Sequence, residues 1–385
     1  MYFRQSSFNR LKLRYDHVMK LIAQIKLLPA PEQAQALRKT LEVANAACNY
    51  ISEQAWDSQT FKQFPIHKLT YYAVKEMFGL TAQVVVRCIS KVADAYKLDR
   101  KVKRTFKPHG AIAFDDRILT YKLDRMELSI WTVEGRQKMS FACGKRQLEL
   151  LKGQHGESDL CLVKGQFYLM VVCDVETPKP IDVEGVLGVD LGLVQIAATS
   201  DGGGFSGAAI EDNRRKFGHR RSNLQKKQTK SATRKLKKIS GVQSRFQKTT
   251  NHRISKILVK IAYDTHRAIA LEELGGIREA PVKGRKQRAR HANWSFYQLR
   301  QYIVYKAERV GVPVIFVDPR NTSRTCPECG CVDKANRKSQ SVFLCTACNF
   351  SGNADIVAAV NIAVRAEVNL PMVSNLRVQG QSPLL

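Results

Sequence analysis

The stretch Val183-Glu-Gly-Val-Leu-Gly-Val-Asp-Leu-Gly-Leu-Val-Gln-Ile-Ala-Ala-Thr-Ser-Asp-Gly-Gly-Gly204 carries one charge within its apolar centre, the carboxylate of Asp190. Apolar runs flank it on both sides and Asp201-Gly-Gly-Gly204 supplies a turn, so two strands are expected around Asp190. A charge in a buried strand must be paired or bound to a cation. Asp190 therefore has two readings: it opens an Asp-Leu-Gly turn and bonds the backbone, or it points at a metal. This stretch alone leaves both open.

Two further segments tilt the balance. Ile269-Ala-Leu-Glu-Glu-Leu-Gly-Gly276 is again an apolar strand ending on acids, Glu272 and Glu273. In Gly352-Asn-Ala-Asp-Ile-Val-Ala-Ala-Val-Asn361, Asp355 stands in the first turn of a helix of small residues. Caps and strand ends often carry acids for structural reasons. Three of them, at the edges of core elements in a very basic chain, suggest a metal cluster. Two Mg²⁺ ions held by such carboxylates can activate water and stabilise the leaving oxygen in phosphodiester hydrolysis.

The charge balance points to the same substrate class. Among 385 residues, 63 Lys and Arg against 34 Asp and Glu give a formal +29, an excess that a polyanion, nucleic acid first, would offset. Residues 213–263 hold 17 Lys/Arg and no acid. No signal peptide and no uncharged apolar run of 18 residues is expected to direct the chain into a membrane, so a cytoplasmic, nucleoid-associated location is expected.

Five of the ten cysteines fall within 23 residues. Cys326-x2-Cys329 and Cys345-x2-Cys348 have the spacing of a four-thiolate zinc ribbon in a reducing compartment. Gly330, and Asn349 in the equivalent place, suit the positive φ of two knuckles; Cys331 reads as a bystander. Cys48, Cys88, Cys143, Cys161 and Cys173 read as small core residues.

Elsewhere, residues 18–31 read as a strand and PEQAQALRKTLEVANAACNYISEQAW as a helix with proline at its start. Residues 66–96 read as further helix with Leu69, Val74, Met77, Val84, Val85, Ile89 and Val92 on its apolar side. Short alternating strands follow from 108 to 179. After PKPID, strands and helices alternate as in an α/β domain, with Ile254, Ile257, Leu258 and Ile261 facing a core.

Taken together, GVDLG, LEEL and TSRTCPECG…CTAC…NADIVAAVNIA resemble the TnpB family: transposon-encoded RNA-guided DNA endonucleases with a RuvC-like domain of RNase H fold, related to the compact type V CRISPR effectors. The likeness covers residues 18–368 and is dense from 185. It implies a multidomain α/β and β architecture. An RNase H-like (RuvC) nuclease domain would occupy 181–321 and 351–370, with the zinc ribbon inserted at 322–350. An N-terminal β-barrel wedge domain, 1–44 and 105–180, would be interrupted by a helical recognition insert at 45–104, and 371–385 would be a disordered tail.

By this resemblance Asp190, Glu272 and Asp355 are the three catalytic carboxylates holding two Mg²⁺ ions, and Cys326, Cys329, Cys345 and Cys348 hold one structural zinc. The implied partners are a guide RNA from the transposon end and double-stranded target DNA beside a short adjacent motif, in a monomeric ribonucleoprotein. Candidate nucleic-acid contacts are Tyr71, Tyr72, Lys101, Lys103, Arg104, Arg214, Arg215, Arg220, Arg221, Lys226, Lys227 and Arg324. The alternatives are a nuclease-inactive RNA-guided repressor, which would typically have lost one of the acids, and a CRISPR-associated type V-like effector. A transposase acting without RNA would need joining residues such as a paired histidine motif, which the eight histidines do not form.

Overall fold

The computed structural model describes residues 18–192, 194–273 and 296–368. The tail 371–385, Leu274 of the LEEL segment and the basic stretch 281–291 lie outside the described residues. The chain divides into two compact units, one ending at Glu176 and one beginning at Thr177.

The first unit opens with β1 (Val18–Leu28), whose alternation buries Ala23, Ile25 and Leu27 and leaves Ile22 and Leu28 outside. Three helices follow: α1 (Pro31–Asp57), α2 (Gln63–Phe78) and α3 (Ala82–Leu98). Then come β2 (Ile112–Phe114), β3 (Leu119–Lys122), β4 (Glu127–Thr132), β5 (Gly135–Ala142), the short α4 (Lys145–Leu151), β6 (Gln154–Val163) and β7 (Gln166–Glu176). The strands form one antiparallel sheet in the order β2-β6-β7-β1-β5-β4-β3. It curls until its ends nearly meet: Tyr121 on β3 donates to Ser158 on β6 at 3.0 Å.

The helix expected over 66–96 is two helices. Gly79 adopts φ +61°, the left-handed conformation that ends a helix, and the chain restarts at Ala82. Their buried sides run through Ile66, Thr70 and Val74, then Val84, Val85, Cys88, Ile89 and Val92; Leu69 and Met77 are exposed. Helix α1 passes unbroken across residues 44 and 45, and helices and strands share one core. The helical segment is thus integral to this unit. Cys48, Cys88 and Cys173 lie in that core, whereas Cys143 and Cys161 are only half-buried.

The second unit begins with β8 (Gly185–Asp190), β9 (Gln195–Thr199) and β10 (Gly204–Ser206), followed by the basic helices α5 (Ala208–Lys227), α6 (Lys230–Ile239) and α7 (Val242–Asp264). Next are β11 (Arg267–Glu272), α8 (Phe296–Glu308), β12 (Val314–Val317), the hairpin β13 (Val342–Leu344) and β14 (Ser351–Asn353), and α9 (Ala354–Glu367). The sheet order is β10-β9-β8-β11-β12, with β9 and β10 antiparallel to their neighbours and β8, β11 and β12 parallel. In α7 the buried stripe is Ile254, Leu258 and Ala262; Ile257, expected inside, is turned to the flank and exposed.

The two faces of this sheet bury different elements. Leu187, Val189, Ile269 and Leu271 pack with α7 and α8. Val186, Ala268 and Ala270 pack with Ile362, Ala363 and Ala366 of α9. Gly188 explains how close α9 comes: a Cβ there would lie 2.0 Å from the Ala359 carbonyl oxygen and 2.8 Å from the Ala363 nitrogen. Gly188→Ala is therefore expected to destabilise this unit by about 1–3 kcal/mol or more through overpacking. Gly218→Ala, on α5 with nothing within 4 Å, should leave stability unchanged or raise it by up to about 1 kcal/mol. Denaturant midpoints of the two variants check the contrast.

Candidate active site

Strand alternation decides where the first two acids point. Asp190 and Glu272 each follow the last paired rung of two parallel neighbours, Val189 opposite Leu271. They occupy the same-face positions as Gly188 and Ala270, so both face α9. That helix runs from Asp355 toward Ala363, and Ala359, one turn beyond Asp355, rests on Gly188. Asp355 therefore comes to the end of the sheet where Asp190 and Glu272 emerge. Asn353 caps α9, its Oδ1 accepting the N–H groups of Asp355 (3.0 Å) and Ile356 (3.3 Å).

Electrostatics registers the convergence. Burial pushes Asp190 from 3.8 up to about 7, helped by the charges of Glu272 and Asp355 and opposed by Arg337. Burial also raises Glu272, against a hydrogen bond from Thr322 and the charges of Arg365 and Arg337. Asp355, buried, is raised by burial and held back by Arg337, whose Nη2 stands 3.3 Å from its Oδ1. These three carboxylates do not all come within 4.8 Å of one another, as the cysteine sulfurs do. A cage for two ions about 3.5–4 Å apart is wider than one for a single ion. Glu273, the neighbouring acid, is bound instead to Arg300 at 2.7 Å.

The cysteine module meets the expected geometry. The sulfurs of Cys326, Cys329, Cys345 and Cys348 all lie within 4.8 Å of one another, a set that fits one tetrahedral zinc ion. Gly330 (φ +72°) and Asn349 (φ +61°) make the two knuckles, donating to the carbonyls of Cys326 and Cys345. Cys331 stays outside the set. Backbone N–H groups of Cys348 and Ala347 pull the Cys345 thiol down to about 6. Buried Asn336 ties the module together, donating to the carbonyls of Arg324 and Cys331 and accepting from Thr346.

Module and acids are one assembly. Arg337, between the cysteine pairs, reaches Asp355. Thr322, just ahead of the module, donates to Glu272. Asn361 on α9 donates to the carbonyls of Thr322 and Thr325, both at 2.8 Å. Sequence reasoning missed all three. Asn361 had a signal, a lone amide on the apolar side of a helix. Arg337 had none, because in the sequence it is one of several charged residues between the cysteine pairs.

The nucleic-acid candidates scatter. Tyr71 and Tyr72 lie on α2, Tyr71 stacked on His67 and Tyr72 exposed. Lys101 is exposed; Lys103 is exposed and pairs with Glu53, and Arg104 turns inward onto the Asp99 carbonyl at 2.6 Å. On α5, Arg214 and Arg215 are engaged by Glu211 and Asp212, Arg220 lies over Phe217, and Arg221 donates to Gln243. Lys226 and Lys227 stand exposed at the end of α5, as does Arg324 before the first cysteine pair. No described helix is long and apolar enough to cross a membrane.

Residues 296–362, which run from α8 through the module into α9, match the Cas12f1-like TNB domain family. The CRISPR-associated endodeoxyribonuclease Cas12f1 of Sulfoacidibacillus thermotolerans is 34% identical over 219 residues, 52% of this chain and 50% of that protein. The chain is a relative of the TnpB and Cas12f1 proteins. The TnpB-like protein MJ0751 of Methanocaldococcus jannaschii is 36% identical over 156 residues, 39% of this chain and 55% of that one. The matches thus span about half the length of these curated relatives. Among solved structures, a cryo-EM Cas12f1–sgRNA–target DNA complex shares the fold, with TM-score 0.60 and 16% identity over 87% of this chain and 83% of that chain.

Proposed function

We propose that this chain is an RNA-guided DNA endonuclease whose cleavage centre is Asp190, Glu272 and Asp355. The observation that carries the reading is their convergence: two neighbouring strands and a docked helix bring three acids from distant sequence to one sheet end, where burial and mutual repulsion raise Asp190 to about 7. Such a cluster asks for cations. The sheet, an antiparallel run β10-β9-β8 extended by β11 and β12 parallel to β8, supports an RNase H-like (RuvC) reading of this unit, and the nearly closed sheet supports a wedge barrel in the other. The kinship to an endodeoxyribonuclease and to a TnpB-like protein supports the activity.

The donor set is all oxygen, which suits hard Mg²⁺, whereas the four sulfurs suit zinc. When bound, a Mg²⁺ pair would activate the attacking water and stabilise the leaving oxygen. The chain's own residues set the stage. Thr322 orients Glu272, Asn361 fixes Thr322, and Arg337 offsets part of the mutual repulsion of the acids. Guide pairing would read sequence while the protein reads duplex shape and a short adjacent motif, a division of labour known from another RNA-guided nuclease.

RNA co-purified with the full chain tests this reading. A discrete species ending in a variable segment, together with Mg²⁺-dependent cutting of a duplex matching that segment, is expected. Random cellular RNA with no guided cutting would overturn it. A guide templated by a transposon end assigns the chain to a mobile element, and a CRISPR-repeat guide to a type V-like effector.

A further inference from the structure

The segment from Lys103 to Gly110 belongs to no helix or strand, yet it is among the most firmly held in the first unit. Asn45, Asn49 and Ser52 recur on one side of α1 and grip its backbone in sequence. Ser52 Oγ donates to the Arg104 carbonyl at 2.7 Å. Asn49 makes a pair with Phe106, donating to its carbonyl at 3.0 Å and accepting its N–H at 2.7 Å. Asn45 donates to the carbonyls of Pro108 (3.2 Å) and Gly110 (2.9 Å). The fit at Gly110 is tight, since a Cβ there would lie 2.8 Å from Asn45 Oδ1. Lys91 locks the amide from behind, 2.7 Å from the same oxygen.

Side chains alternate along this zipped backbone. Arg104 and Phe106 turn inward, Arg104 onto the Asp99 carbonyl and Phe106 beneath the Lys91 ammonium at 5.0 Å. Lys103, Thr105 and Lys107 turn outward and are exposed. In an extended chain Lys103 and Lys107 stand about 13 Å apart, the axial rise of about four nucleotides of one strand. Lys107 makes no ion pair among the described residues. Lys103 pairs with Glu53 at 2.8 Å, but both are exposed, so water and salt screen the pair and it yields readily to a phosphate.

We propose that residues 103–107 form a preorganised rail for a nucleic-acid phosphodiester backbone, with Lys103 and Lys107 on two phosphates of one strand. The asparagine ladder holds the backbone in place before binding, so little ordering entropy is lost on contact. The proposal rests on the nucleic-acid reading above and refines it: Lys107 replaces Arg104, whose guanidinium is committed inward.

The experiment titrates the full chain with a labelled 20-nucleotide oligouridylate and with a 20-base-pair DNA duplex of random sequence, across a series of NaCl concentrations. The Lys103→Ala/Lys107→Ala pair should flatten the log–log salt slope by about 1.4 on single-stranded RNA or about 1.8 on duplex DNA. Whichever probe responds names the source of the phosphates. A control pair, Lys122→Ala/Lys138→Ala, removes the same charge elsewhere on this unit and should flatten it less. Asn49→Ala, which keeps every charge, should weaken binding several-fold at unchanged slope. Unchanged slope on both probes, equal flattening by the control pair, or unaltered affinity in Asn49→Ala would each overturn the rail. Asp190→Asn measured in parallel keeps the two readings apart: lost cleavage beside an unchanged salt slope in the lysine variant removes the rail and leaves the nuclease standing.

Discussion

Asp190→Asn is expected to abolish Mg²⁺-dependent cleavage and, at pH 8 without metal, to raise the unfolding midpoint of the protein. The first effect should reach about 10³-fold or more, since losing a direct ligand costs more than the 10–100-fold lost with an outer-shell partner. The second follows from linkage. Asp190 titrates near 7 in the folded chain against 3.8 ordinarily, chiefly because burial disfavours its charge. Its contribution to stability is fully present below about pH 3.8 and is lost as pH rises through 7, because the folded state binds the extra proton in that window. Three pKa units correspond to an upper bound of about 4 kcal/mol. The neutral amide escapes this loss, so the gain of the variant over wild type should be large at pH 8 and vanish near pH 4. Thermal melts in chelator at both pH values check it. Full cleavage in the variant, or a midpoint equal to wild type at pH 8, would sink the assignment of Asp190 to a charge-strained metal site.

The second large effect is expected from Cys326→Ser/Cys329→Ser. Structural zinc contributes about 10–16 kcal/mol to folding of such modules, and losing half the thiolates should release the ion. Zinc content per chain should fall from one to near zero, while Cys331→Ser, outside the sulfur set, retains it. The change should not stop at the module. Arg337 contacts Asp355 and Thr322 contacts Glu272, so cleavage should drop by about 10²-fold or more even with the carboxylates present. Metal analysis together with a cleavage assay decides it; wild-type cleavage in a zinc-free double variant would show that the module does not position the acids.

How much was readable in advance differs by kind of signal. Local chemistry was legible: the cysteine spacing, the Gly330 and Asn349 knuckles, the strands around Asp190 and the Pro31 helix start are each set by nearby residues. The proximity of Asp190, Glu272 and Asp355 could be suspected from their similar settings, but it depends on which strands pair and which way α9 runs, and neither is written in any one segment. Periodicity says less about a helix's surroundings. It sets Ile257 on the core-facing stripe of α7, although one stripe cannot specify how wide a face the neighbours cover. Charge density likewise says nothing of the Asp99 carbonyl, five residues away, that takes the Arg104 guanidinium. Gly188 belongs to the GVDLG motif, yet only the packing of α9 supplies the reason for a glycine there.

That glycine has a mechanical consequence. Where α9 lies on β8, main chain meets main chain at Gly188 without a deformable side chain as a gasket. The spacing between the first and third acids is consequently machined into the peptide backbone, one helical turn from the joint. Rotamer hopping elsewhere cannot loosen it, and sequence drift on the outer surface of α9 leaves the gauge untouched. An inserted residue between Asp355 and Ala359 would rotate the acid about 100° around the helix and misalign the jaws at a stroke.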